Sequence, residues 1–400
     1  MKDENINVPE IRFKGFADEW EPQKLGAVIE RIQGNDSRMD LPTLTISAGN
    51  GWLDQRERFS NNIAGKEQEN YTLLSKGELA YNKGNSKLAK YGVVFELKTY
   101  EEALVPRVYH SFRSTDRSIA AFLEYMFATK ILDGELAKLI TSGARMDGLL
   151  NITYGAFAGV MINIPETEEQ AQIGTFFRTF DNTIDLHKSK LDKLKKLKKG
   201  YLQQMFPQAG EATPKLRFEG FKSNWKEMKF GEIVKRVSTQ SNADNLPKVE
   251  FEDILSGEGR LNKDITTKFD TRKGIIFKQN NILYGKLRPY LNNWLFATFE
   301  GIALGDFWVY ETIETIPLFV YFLIQTKRYQ EAANLSAGTK MPRSDWGVVS
   351  ETIFSIPADE TEQFAIGNFF HNLDNQITVQ TQKLEQLKQL KAAYLQKMFV

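Results

Sequence analysis

The 400-residue chain contains no cysteine, so disulfides and cysteine-ligated metals are excluded. Its three histidines, His110, His187 and His371, stand too far apart in sequence to suggest a metal site. No apolar run approaches the roughly 20 residues that a membrane-spanning helix needs. The nearest, residues 317–324, is of core size. The opening MKDENINVPE mixes charges and lacks the apolar stretch of a signal peptide. These features predict a cytoplasmic protein. An excess of one charge is also missing: 52 Lys and Arg face 51 Asp and Glu, a net charge of +1. Any nucleic-acid surface must then come from local clustering. There is no GxxxxGK[ST] phosphate loop, no HExxH and no GxSxG elbow. The Asn-Pro-Pro-Tyr and Asp-Pro-Pro-Tyr tetrapeptides of amino-methyltransferases are absent too. No catalytic site is expected.

What is present is a duplication. Residues 170–206 read QAQIGTFFRTFDNTIDLHKSKLDKLKKLKKGYLQQMF, and residues 363–399 read QFAIGNFFHNLDNQITVQTQKLEQLKQLKAAYLQKMF. The offset is 193 without a gap. Apolar residues recur every three or four positions at Ile173, Phe177, Phe180, Ile184, Leu191, Leu194 and Tyr201. The second copy repeats them at Ile366, Phe370, Leu373, Ile377, Leu384, Leu387 and Tyr394. The stripe is interrupted at His187 and Lys198, and at the matching Gln380 and Lys391. A sustained 3.5-residue apolar repeat predicts a coiled coil. Two such stripes can bury each other, at roughly 0.8 kcal/mol per methylene. The alternative is two amphipathic helices on separate cores; the shared register and shared interruptions count against it. Lys198 and Lys391 would then sit in the seam, where a polar residue can fix register.

A second repeat precedes each helix. Residues 9–32, PEIRFKGFADEWEPQKLGAVIERI, match residues 214–237, PKLRFEGFKSNWKEMKFGEIVKRV, at an offset of 205. The order is therefore globular unit, helix, globular unit, helix. Expected boundaries are 1–163, 164–207, 208–355 and 356–400, with 207–213 as a polar linker. Within the units, runs at 92–97, 274–277 and 308–310 predict strands. Helices are expected at 117–131 and 316–330. Each unit is then α+β. If the long helices pair, the second must return toward the first unit, so pairing is antiparallel and pseudo-twofold. A helix of ~36 residues spans about 54 Å. That is about fifteen base pairs, enough for two readers to reach half-sites roughly one turn apart.

Basic residues cluster at equivalent places. Lys83, Asn85 and Lys87 fall in the stretch 81–91, which interleaves Lys, Asn and Tyr, and Lys286 and Arg288 in its counterpart 284–294. Arg145 follows Gly143, while Lys340 and Arg343 follow Gly338. Lys and Arg can neutralise phosphates, and Asn can bridge adenine N6 and N7. The bland alternative for each is a solvated turn. Seven lysines between 188 and 199 form either a solvated coil face or a docking face.

The motif Pro-x-[Ile/Leu]-Arg-Phe-x-Gly-Phe-x-x-x-Trp opening each unit resembles the DNA specificity subunits of type I restriction–modification systems. So does Gln-x-x-Ile-Gly-x-Phe-Phe-x-x-[Phe/Leu]-Asp-Asn opening each helix. The resemblance covers nearly the whole chain. It implies two target-recognition domains held apart by two helical spacers, each reading half of an asymmetric, interrupted DNA sequence. It also implies two methyltransferase subunits and two restriction (translocase) subunits as partners. S-adenosylmethionine, ATP and magnesium would belong to those partners, and no cofactor to this chain.

Overall fold

The computed structural model describes residues 7–56, 65–140, 148–208, 210–266, 268, 270–335 and 341–400. Arg145 and Lys340 lie outside them. The chain divides into two compact units: Met1–Leu186 with Leu384–Val400, and His187–Lys383. Each unit contains part of both long helices, Thr167–Gln204 and Glu360–Lys397.

In the first unit an antiparallel sheet runs in the order Ile29–Ile32, His110–Ser114, Leu79–Asn82, Val93–Glu96. Successive side chains point to opposite faces of a strand. Leu79 and Tyr81 therefore join Phe112, Phe122 and Phe157 in one core, while Ala80 joins Leu44, Leu74 and Val105 in another. The second unit repeats this order with Val234–Val237, Phe307–Thr312, Ile282–Gly285 and Trp294–Phe296. There Ile282 and Tyr284 face Phe319 and Phe322, and Leu283 faces Phe277 and Val309.

Both expected unit helices are broken. The first spans Ala120–Ala128 and stops before Lys130, whose φ is 65°. The second is two helices, Pro317–Leu323 and Lys327–Ala333. Thr326 divides them: its hydroxyl donates to Leu323 O at 2.7 Å and accepts from Tyr329 N at 3.5 Å, capping the new helix. The strands Val93–Glu96, Gly274–Phe277 and Phe307–Thr312 lie where the apolar runs put them.

The duplicated motif residues fasten each long helix to its unit. Arg12 grips Glu169 at 2.6 and 2.8 Å, and Arg217 grips Glu362 at 2.6 and 2.7 Å. Both carboxylates are fully buried in the first helical turn, where the helix dipole favours negative charge. Gln170 accepts from Ile119 N and donates to Pro165 O; Gln363 does the same with Ile316 N and Pro357 O. Gly174 and Gly367 let the helices approach closely. A Cβ there would stand 2.9 Å from Ala121 Cβ and 3.1 Å from Phe319 N.

Within each unit the long-helix segments run antiparallel. In the first, Phe176 and Phe180 meet Tyr394 at 5.2 and 5.8 Å between ring centroids. Further along, Asp181 binds Lys391 and accepts from Tyr125 OH at 2.7 Å. In the second, Tyr201 meets Phe369 at 5.1 Å, and Lys198 binds Asp374 at 2.7 Å and Gln325 at 2.9 Å. Gln380 Nε2 donates to His187 Nδ1 at 2.5 Å and to His187 O at 3.0 Å. All fourteen residues of the expected pairing stripe are buried or half-buried. Four of them also belong to the unit cores. Ile173 and Phe177 belong to the first unit's core, and Ile366 and Phe370 to the second's. The helix starts lie on their own units, so there the apolar stripe faces a globular core. Phe176 and Phe369, outside the stripe, carry ring contacts across the seam.

Candidate nucleic-acid interface

In each unit the loop after a central strand pairs with a segment far along the chain, at one end of the sheet. In the first, the strand Leu79–Asn82 runs into Lys83. Its carbonyl accepts from Leu150 N at 2.8 Å, Gly84 pairs with Leu149, and Asn85 N donates to Gly148 O at 3.0 Å. In the second, Lys286 O accepts from Ser344 N at 2.8 Å, Leu287 pairs with Arg343, and Arg288 N donates to Pro342 O at 2.7 Å. Residues 148–150 and 342–344 thus lie beside the strand-end loops.

The candidate side chains divide by what they touch. Lys83 is half-buried, and its Nζ donates to Ile152 O at 3.2 Å, bracing the loop. Lys286 and Arg343 share Asp306, at 3.7 and 3.0 Å. Asn85, Lys87 and Arg288 are exposed. Arg288 has φ 49°, in the left-handed region, fixed by the turn into Pro289. Asn85 and Lys87 border a groove of about 730 Å³ whose wall includes Thr45, Ser47, Asn82 and Tyr109. Asn82 shapes the loop, accepting from Gly84 N and donating to Ile46 O. The groove's polar lining is amide and hydroxyl, set among apolar side chains such as Ile46, Leu88 and Val108, and among the described residues its wall has one cation, Lys87. That chemistry suits base edges better than phosphates.

His110 lies under this sheet end. Its Nε2 is 2.9 Å from Ile152 O, and it packs on Tyr81, Tyr154 and Phe157. Burial pushes its pKa down to about 4, and Lys83 and Arg31 add to the fall. The folded state therefore keeps the ring neutral where the unfolded chain takes up a proton. Stability from this group is complete above about pH 6.5 and is lost as pH drops toward about 4, by up to ~3 kcal/mol. The wild-type melting temperature should fall across that window more steeply than that of His110→Phe; parallel pH profiles would refute this. Among the described residues, no group of three His, Cys, Asp or Glu side chains is placed to hold a metal. No described helix is long and apolar enough to cross a membrane.

The family profile of the type I restriction modification DNA specificity domain fits residues 18–196 and again residues 222–389. The chain belongs to this specificity family. Among curated relatives, the HindI specificity subunit of Haemophilus influenzae is 28% identical over 193 residues, covering 44% of this chain and 41% of that protein. The MjaVIII specificity subunit of Methanocaldococcus jannaschii is 22% identical, covering 67% of each. The EcoDI specificity subunit of Escherichia coli is 23% identical, covering 55% of this chain and 56% of its own. Among solved structures, the specificity subunit of M. genitalium shares the fold over 98% of this chain and 99% of its own, with a TM-score of 0.63 at 15% identity. The specificity fold, two α+β units with two long helices, is thus common to both chains.

Proposed function

We propose that this specificity-family chain is the DNA-reading subunit of a type I restriction–modification complex and performs no catalysis itself. Each unit reads one half of an asymmetric, interrupted duplex site, and the paired long helices set the number of unread base pairs. The observation that carries this reading is one frame built twice with unlike side chains at the same sheet end: Lys83, Asn85 and Lys87 beside a groove in one unit, and Lys286, Arg288 and Arg343, two of them held by Asp306, in the other. Identical scaffolds with different tips suit two different short sequences.

Partner docking has its own support. Leu186 and Val379 are equivalent by the repeat and 70% and 64% exposed; Leu197 and Leu390 are equivalent and 49% and 46% exposed. Apolar side chains left in water at matching places suit two copies of one partner. In this reading two methyltransferase subunits dock there, two restriction subunits join them, and S-adenosylmethionine, ATP and magnesium act on those partners in the cytoplasm.

The test is a helix insertion. Four residues add about 6 Å to a helix, close to two base pairs. Added to one long helix, they should change the unread gap and leave both half-sites intact when methylated adenines are mapped in cells carrying the whole system. Altered half-sites with an unchanged gap would defeat the reading. So would methylation or cleavage by the purified chain alone.

A further inference from the structure

Two arginines at the sheet ends stand apart from the other cations of the frame. Arg31 is the third residue of the edge strand Ile29–Ile32, opposite Phe112. Its guanidinium lies 4.5 Å from the ring centroid of Tyr154, the first residue of the helix Tyr154–Ala158. Arg236 holds the same place on the edge strand Val234–Val237, opposite Tyr310. Its guanidinium lies 4.5 Å from the ring of Trp346, the first residue of the helix Trp346–Glu351, and 5.7 Å from Trp308. Both arginines are exposed, and neither has a carboxylate partner among the described residues. The other duplicated arginines, Arg12 and Arg217, are each locked to a buried glutamate.

A guanidinium lying over a ring keeps its fork of N–H donors open at the edge. The ring limits its rotamers in advance, so less freedom is lost when an anion arrives. The position also matters. Each arginine lies near the end of its edge strand, in one unit close enough to His110 to act on it together with Lys83, and in the other on the strand next to Trp308, which pairs with Tyr284 two residues before Lys286. The loops differ between units; the stacked arginine does not. What two unlike half-sites share is the sugar–phosphate backbone.

We propose that Arg31 and Arg236 are paired backbone anchors, each guanidinium taking one DNA phosphate at a fixed place relative to its reading loops. This rests on the DNA-reading function above and adds to it a sequence-independent contact in each unit. A bidentate Arg–phosphate contact fixes orientation as well as adding affinity, so the anchors set the register in which the loops meet the bases.

The test uses the full chain assembled with its methyltransferase partners and a duplex carrying the mapped site. Binding is measured over a range of NaCl concentrations for wild type, Arg31→Gln, Arg236→Gln and the double variant. Each single change should weaken binding about tenfold and reduce the slope of log K against log salt by roughly 0.9, and the double variant by twice that. Arg31→Lys and Arg236→Lys should keep most of the slope. The methylated sequence should stay the same in every variant. A slope unchanged in both Gln variants overturns the proposal, as does altered sequence preference. Loss of partner assembly with a normal slope would assign these arginines to a protein contact and overturn it too. If the wild-type complex itself showed no salt-dependent binding, the DNA-reading function would fall, a result separate from failure of the anchors.

Discussion

Phe399→Ala should destabilise the first unit by about 3–4 kcal/mol, the range for truncating a buried phenylalanine. Phe399 is 5% exposed. Its ring stands 5.3 Å from Phe122, 6.0 Å from Phe177 and 6.1 Å from Trp20. Three of these four residues come from early in the chain, so the core begun by Trp20 is completed only when residue 399 arrives. Phe206 holds the equivalent place in the second unit, 5.4 Å from Phe319 and 5.9 Å from Phe370. Hydrogen exchange on the full chain should show faster opening around residues 120–128 in Phe399→Ala. It should show faster opening around residues 317–323 in Phe206→Ala. Equal loosening of both regions by either substitution would contradict this assignment.

Lys198→Ala should destabilise the second unit by about 2–4 kcal/mol, because it leaves a desolvated carboxylate without its cation. The Asp374 side chain is 20% exposed and Lys198 13%. Burial raises the Asp374 pKa above the ordinary carboxylate value, and Lys198 pulls it back down. Without Lys198 the pKa rises further. A carboxylate with a raised folded-state pKa costs stability when ionised and returns it as pH falls through that pKa. The deficit of Lys198→Ala should therefore shrink on acidification. Replacing both partners together, Lys198→Met with Asp374→Leu, should recover most of the loss, since an apolar pair needs no counter-charge. Denaturant titrations of wild type, both single variants and the double would settle it. Additive losses would show that the pair is not coupled.

The long helices were legible because a 3.5-residue pattern that occurs twice, with the same interruptions, has few other meanings. The pattern says that a side chain is buried, but not against what. Ile173, Phe177, Ile366 and Phe370, which the pattern places in the seam, are also part of the unit cores for that reason. The stop at Lys130 and the new start at Thr326 depend on local hydrogen bonds and one positive φ, which apolar spacing does not encode. At the sheet ends, spacing found the basic loops but not their neighbours. Asp306, which occupies Lys286 and Arg343, lies twenty residues beyond the first of them. Arg31 and Arg236 were visible as an identical pair, yet the rings beneath them, Tyr154 and Trp346, differ in type and lie more than a hundred residues on. Only folding brings each pair together.

The contact between His187 and Gln380 joins positions one repeat apart. A single-copy ancestor associating with itself would be confined there to two identical side chains. Carrying both copies on one polypeptide frees the two sides to specialise, so that an amide donor can face an imidazole acceptor. The same freedom lets either tip change its preference without obliging the other to follow.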